Sequence, residues 1–274
     1  MKAKFYGTRG STPISDPNST EFGGNTTCIF ITSEVLGSAL ILDAGTGIRN
    51  LGKDIIKQNL HLKDRINLGF THFHWDHIQG FPFFDPAYIP DSNILIAVMG
   101  NKEVKNLKDI FKVQLQSIYF PVQLENMGAK MEFVKYEVNE LIGEKGLLVK
   151  VTEVQHPGGC VGIRVDDGEK SVVFCTDTEH GDGIDEKVVK LSENADVLIH
   201  DAQYTDEELK THKGWGHSSY SQVIEVAEKA NVRYLIMTHH HPDHDDEFLR
   251  RMEKQCRERF KDSVFARDNF ELKF

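Results

Sequence analysis

The chain has 274 residues, 39% of them apolar, enough for a large hydrophobic core without disulfide or metal staples. Its net charge is −10, from 32 basic and 42 acidic residues with no basic tract, which argues against binding nucleic-acid polymers, since neutralised phosphates drive that affinity. No run of about 18 apolar residues predicts a membrane span, "MKAKFYGTRGSTP" lacks the apolar stretch of a secretory leader, and Cys28, Cys160, Cys175 and Cys256, without close spacing, read as reduced thiols of a cytoplasmic protein.

In chain order, "AKFYG", "TTCIFITS" and "SALILDAG" read as strands, and "IRNLGKDIIKQ" as a helix leading to the strand "INLGF". Residues 103–117 read as helix, and "KMEFVKY" and "LLVKVTEVQH" as strands. Next come "KSVVFCTD" as strand, "DEKVVKLSE" as helix and "DVLIHD" as strand. "SYSQVIEVAEKA" is a helix, "RYLIMTH" a strand, and a last helix starts near Asp246. No linker or internal repeat interrupts the chain, so residues 1–274 are expected to form one domain of α/β class, two sheets with helices packed outside.

Strand after predicted strand ends in a residue that binds metal or moves protons: Asp43, His72, His156, Asp177, Asp201 and His239. In a layered α/β fold, ligands at strand ends line a shared edge, so the pattern predicts a single site. "THFHWDHIQG" (71–80) is its densest part. His72 and His74, spaced i, i+2 after a strand, can reach one ion, while Asp76 and His77 can turn to a second. Neutral imidazole with carboxylate suits Zn²⁺, Mn²⁺ or Fe²⁺, and no cysteine pair has structural-zinc spacing.

Together with "LILDAGTG", "HPGG", "TDTEH" and "LIMTHHHP", this stretch resembles the metallo-β-lactamase-fold hydrolases over essentially the whole chain. The resemblance implies a four-layer αββα sandwich with two divalent metal ions. One would be held by His72, His74 and His156, the other by Asp76, His77 and His239, with Asp177 bridging and Asp43 orienting a ligand from behind. His239 is preferred because it directly follows the strand; His240, His241 and His244 are the runners-up, and otherwise read as exposed loop histidines. A carboxylate in "CTD", and histidine at 74, separate the chain from β-lactam-cleaving and flavodiiron relatives.

"VLIHDAQYTDEE" and "KGWGHSSYSQ" resemble the phosphodiesterase branch, which includes the tRNA 3′-processing enzyme and the phosphoribosyl cyclic phosphodiesterase. There an acidic residue in a "HEA"-like turn pairs with the histidine of an "HST"-like motif; here the turn is "HDA" and the motif "HSS". This implies His217 as general acid, oriented by Asp201, with Asp76 also in the catalytic set and a metal-activated water as nucleophile. Two divalent ions, two carboxylates and one hydroxide sum to about +1, a cationic pocket for a small anionic diester such as a cyclic nucleotide or cyclic sugar phosphate. Nothing from Gly80 to Gln155 resembles the tRNA-gripping arm, so a nucleic-acid polymer is not the expected partner.

Asn25 and Thr26 of "FGGNTTC" are candidate substrate contacts, and Trp215 in "GWG" is a candidate for covering a substrate ring from a mobile rim. Trp75 stands where the processing enzymes have glycine, and packing behind the metal loop is its expected role, with base stacking the alternative. The resemblance also implies a homodimer. A carboxylic-ester, lactone or thioester hydrolase on the same metals is the alternative activity, and a non-catalytic metal- or ligand-binding member the alternative outside enzymes.

Overall fold

The computed structural model describes residues 1–100, 104–136, 142–144 and 147–274. Two seven-stranded sheets carry the architecture. The first is built from β1 (Lys2–Gly7), β2 (Cys28–Ser33), β3 (Ser38–Leu42), β4 (Ile66–Phe70), β5 (Asn93–Met99) and β6 (Lys130–Tyr136). The second contains β7 (Ile142–Glu144), β8 (Leu147–Val154), β9 (Cys160–Asp166), β10 (Ser171–Cys175), β11 (Val197–Asp201), β12 (Tyr234–Thr238) and β13 (Ser263–Phe265). The C-terminal β14 (Glu271–Lys273) returns to the first sheet beside β1. Pairing is antiparallel from β14 through β1 and β2 to β3, then parallel to β6. It is likewise antiparallel from β7 to β10 and parallel to β13. The arrangement thus occurs twice, although the sequence carries no visible repeat.

The helices are α1 (Ile48–Lys57), α2 (Leu60–Lys63), α3 (Trp75–Ile78), α4 (Leu107–Gln114), α5 (Glu186–Ser192), α6 (Asp206–Thr211), α7 (Tyr220–Lys229) and α8 (Asp246–Arg259). The predicted helix over 103–117 is the shorter α4, and position 103 lies outside the described residues. Strands β5, β7, β9, β13 and β14 have no counterpart in the sequence reading.

Period-two burial explains the layers. In β10, Val172 and Phe174 enter the core between the sheets while Val173 and Cys175 face helices; in β11, Val197 and Ile199 go one way and Leu198 the other. The inter-sheet core joins Phe5, Ile29, Ile31 and Leu42 to Ile163, Phe174, Ile199 and Ile236. On the outer faces, α1 and α4 bury Ile48, Leu51, Leu107 and Phe111 against the first sheet. Helices α5, α7 and α8 bury Val188, Val223 and Leu249 against the second. The result is the four-layer αββα sandwich of the metallo-β-lactamase fold. No helix among the described residues is long and apolar enough to cross a membrane.

Two charged groups fasten the loops that border the site. Arg9 is fully buried and donates from Nε to the Gly23 carbonyl (2.7 Å), and from Nη1 to those of His241 (3.0 Å) and His244 (2.7 Å). The Asp246 carboxylate accepts the amides of Thr20, Glu21 and Phe22. Arg9→Met strips three carbonyls of their donor, and at about 1–3 kcal/mol per buried orphan the expected loss is about 3 kcal/mol or more. Urea unfolding reads it; an unshifted midpoint would show that Arg9 is not a strut.

Candidate metal centre

Residues at or just beyond the ends of β3, β4, β8, β10, β11 and β12 meet in one place. Three of them, Asp43 (φ 62°), Asp177 (φ 54°) and His239 (φ 62°), have left-handed backbone. That conformation is strained for a residue with a Cβ, and its recurrence at three strand ends marks a place where geometry is held against local preference.

Asp177 sits at the centre, buried, with its two oxygens facing different histidine sets. Oδ1 lies 3.7 Å from His72 Nε2 and 3.8 Å from His156 Nε2, and His156 Nε2 is 3.0 Å from His74 Nδ1. Oδ2 lies 3.1 Å from His77 Nε2 and 3.3 Å from His239 Nε2. Asp76 Oδ2 closes the second set at 3.3 Å from His77 Nε2 and 3.2 Å from His239 Nε2. His72, His74, His156 and Asp177 form one group with all ligand atoms within 4.8 Å of one another, and Asp76, His77, Asp177 and His239 form another.

The far nitrogens of these rings are committed. His77 Nδ1 donates to Asp43 Oδ2 (2.9 Å), His156 Nδ1 to the Gly216 carbonyl (3.0 Å) and His239 Nδ1 to Gln203 Oε1 (3.0 Å). Thr71 Oγ1 donates to Asp43 and accepts from His72 Nδ1 (3.1 Å). Four Nε2 atoms are therefore left as lone-pair donors facing the centre, and those of His72 and His77 are buried without a hydrogen-bond partner. Imidazole nitrogens and carboxylate oxygens so arranged fit divalent transition-metal ions.

Charge keeps the carboxylates ionised. Burial alone would raise Asp177, but His239, His77 and His72 outweigh it and hold it well below the usual range. Burial would lower His239, yet Asp177, Asp76 and Asp201 raise it to about 9. Cations are thus favoured where the two carboxylates meet, whether proton or metal.

Beside this cluster His217 Nδ1 donates to Asp201 Oδ2 (2.6 Å), and Asp201 Oδ1 accepts the amides of Gln203 and Ser218 (both 3.2 Å). The His217 ring stacks on His239, with centroids 5.0 Å apart. A cavity of about 420 Å³ opens over the whole arrangement, and Asp76, Asp177, His217 and His239 line it.

Two glycines allow the rings to pack. A Cβ on Gly10 would overlap the His239 ring, and one on Gly216, already at φ 91°, would overlap His156. Gly216→Ala is expected to displace His156 and weaken metal binding about 10–100-fold, the scale of losing a ligand's supporting contact. Titrating metal into the variant measures this; unchanged affinity would show that the loop yields instead.

All seven sequence-predicted ligands fall in the cluster, and Asp201 and His217 beside it. Other expectations need correction. Trp75 is 81% exposed and lines the cavity, so it does not pack behind the loop. Asn25 gives its amide to Asp268 (2.7 Å) and accepts from Thr46 Oγ1, and buried Thr26 accepts from the Thr46 amide and Gln79. Both are spent on joining loops, and neither lines the cavity. The "GWG" rim is pinned, because the buried Glu179 carboxylate accepts the amides of Gly214 and Gly216. Trp215 lies outside the cavity lining with its ring edge on His212 (4.9 Å). His240 and His244 are buried, bonded to the Ala266 carbonyl and Glu208, so they are packing residues and not exposed ones.

Sequence reasoning missed Glu179, Gln203 and Ser11. Gln203 links His239 Nδ1 to Ser11 Oγ (3.2 Å), and the Ser11 amide donates to Asp76 Oδ2 (2.9 Å). Only the position of Glu179 two residues past Asp177, and of Gln203 two past Asp201, hinted at them.

Residues 39–240 match the model of the Beta-lactamase superfamily domain. Ribonuclease Z of Prochlorococcus marinus (strain NATL1A) is 22% identical over 290 aligned positions, covering 88% of this chain and 88% of that protein. Among solved structures, the metallo-β-lactamase-fold protein YhfI of Bacillus subtilis superposes with a TM-score of 0.72 at 17% identity, over 99% of each chain. Short-form human tRNase Z gives 0.71 at 18% identity, over 100% of this chain and 99% of that one.

Proposed function

The chain belongs to the beta-lactamase superfamily and is a metal-dependent hydrolase, and we propose that it is a binuclear phosphodiesterase acting on a small diester. The observation that carries the reading is the Asp201–His217 pair opening into the same cavity as Asp177. A phosphodiester with an alkoxide leaving group needs a proton donor beside the metals, whereas a thioester, whose thiolate departs readily, does not.

His72, His74, His156 and Asp177 would hold one ion, and Asp76, His77, His239 and Asp177 the other, Zn²⁺ or Mn²⁺ being best suited to these donors. Bound ions would supply Lewis acidity at a phosphoryl oxygen and lower the pKa of an attacking water. Asp76, which lines the cavity, would help to hold the second ion and could accept a hydrogen bond from an attacking water. Asp201 holds His217 with Nδ1 protonated, aims Nε2 into the cavity and stabilises the imidazolium. Nε2–H then delivers its proton to the departing oxygen.

The relatives named ribonuclease Z and tRNase Z support diester chemistry for this chain. The net charge of −10 favours a small substrate over an RNA polymer. We take residues 1–274 as one domain because a single core runs between both sheets. Four separate buried thiols suit the cytoplasm.

Turnover of bis(p-nitrophenyl) phosphate, beside p-nitrophenyl phosphate and a p-nitrophenyl carboxylic ester, tests the proposal. Diester cleavage that stops on chelation and returns with Mn²⁺ or Zn²⁺ is expected. Cleavage of the carboxylic ester alone would replace the phosphodiesterase reading with an esterase.

A further inference from the structure

The cavity lining is polar where the two histidine sets lie and aromatic elsewhere. Phe73 and Trp75 flank His74, and both line the cavity. They differ in how they are held. Phe73 is stacked on Phe70 (centroids 5.4 Å apart) and edge-on to Phe111 (6.4 Å), so its ring is a fixed wall continuous with the core. Trp75, at the first position of α3, is 81% exposed. A large ring left in water beside a site is the informative kind of exposure, because the ring gains contacts once something covers it.

What the lining lacks is equally specific. Among the described residues it contains no lysine or arginine, so nothing beyond the metal centre and His217 attracts extra anionic groups. Apart from those groups its one polar side chain is Ser11, whose Oγ already accepts from Gln203. A sugar phosphate would bring several hydroxyls to a wall with a single partner. A planar ring would meet two aromatic faces.

Resting on the phosphodiesterase reading, we infer that Phe73 and Trp75 form an aromatic subsite for the base of a nucleoside phosphodiester. The metal centre takes the phosphate, and Trp75 covers the base against the fixed ring of Phe73. Base–aromatic stacking is sequence-tolerant, so the subsite selects a planar ring and not a particular base.

Adenosine 5′-monophosphate and ribose 5-phosphate share ribose and phosphate and differ in the base. Calorimetric titration of each into the metal-loaded protein is expected to give about ten-fold or tighter binding of the nucleotide, the scale of one stacked base. Trp75→Ala should bring the two affinities together, and Trp75→Phe should keep the preference. Because Trp75 adjoins His74, metal content is measured in each variant. Equal affinities in the unaltered protein, or a preference that survives in Trp75→Ala with metals retained, would overturn the subsite. Neither readout needs turnover, so a base preference in a protein that cleaves no diester would keep the subsite and reject the phosphodiesterase.

Discussion

Asp177→Ala is expected to lose both metals and turnover together. One carboxylate serves both histidine sets, Oδ1 toward His72 and His156 and Oδ2 toward His77 and His239, over distances of 3.1–3.8 Å. Its removal takes a ligand from each ion and also the charge that keeps the imidazole cluster compatible with a cation. Metal catalysis supplies several kcal/mol, and at about 1.36 kcal/mol per decade the rate should fall by ~10³-fold or more. Asp177→Asn separates shape from charge, because the amide fills the same space and still offers one lone-pair oxygen. It should keep at most one ion. Metal analysis after desalting, with turnover of bis(p-nitrophenyl) phosphate, gives the answer. Two tightly held metals in Asp177→Ala would remove it from the bridging position.

Much of this site was legible because its parts sit where chain pattern and chemistry coincide. An apolar strand that ends in histidine or aspartate is visible in one dimension, and six such endings pointed to one edge before any coordinates. The choice of His239 among the "HHH" run was legible for the same reason, since it directly follows β12. The rest depended on contacts that sequence does not display. Glu179 works by accepting amides from residues 35 and 37 positions further on, and apart from its place two residues past Asp177 nothing local distinguishes it from a surface glutamate. Asn25 and Thr26 are polar residues beside glycines, a pattern equally suited to reaching a substrate or to joining loops; the Asp268 and Thr46 partners decide for the second. Trp75 shows the opposite failure. Hydrophobicity argues for burial, but its place at the start of a four-residue helix over the cavity leaves the ring outside. The repeated sheet topology was hidden because pairing order is a property of long-range register.

His217→Ala should leave both metals in place and lower kcat by ~10²–10⁴-fold, the usual contribution of a positioned general acid. His217 lies in neither of the two groups that hold the seven expected ligands, although it forms a third candidate group with Asp177, Asp201 and His239; its Nδ1 is engaged by Asp201 at 2.6 Å, so its loss is expected to remove a proton donor while all seven ligands stay. Asp201→Asn tests the same pair from the other side. An amide turned to offer its NH₂ would force the opposite tautomer, a neutral ring with its proton on Nε2, and would no longer stabilise the imidazolium, which leaves a far weaker acid. The size of the defect should depend on the leaving group. p-Nitrophenolate departs without a proton, so His217→Ala should cost little on bis(p-nitrophenyl) phosphate and most on a diester that expels an alkoxide, such as a cyclic nucleotide. A purely structural histidine would slow both substrates by the same factor. Measuring kcat for the two substrates in the unaltered protein and in His217→Ala, with metal content held equal, distinguishes these cases: a ratio of defects near one rules out proton delivery by His217, and a defect confined to the alkoxide substrate assigns the proton to Nε2.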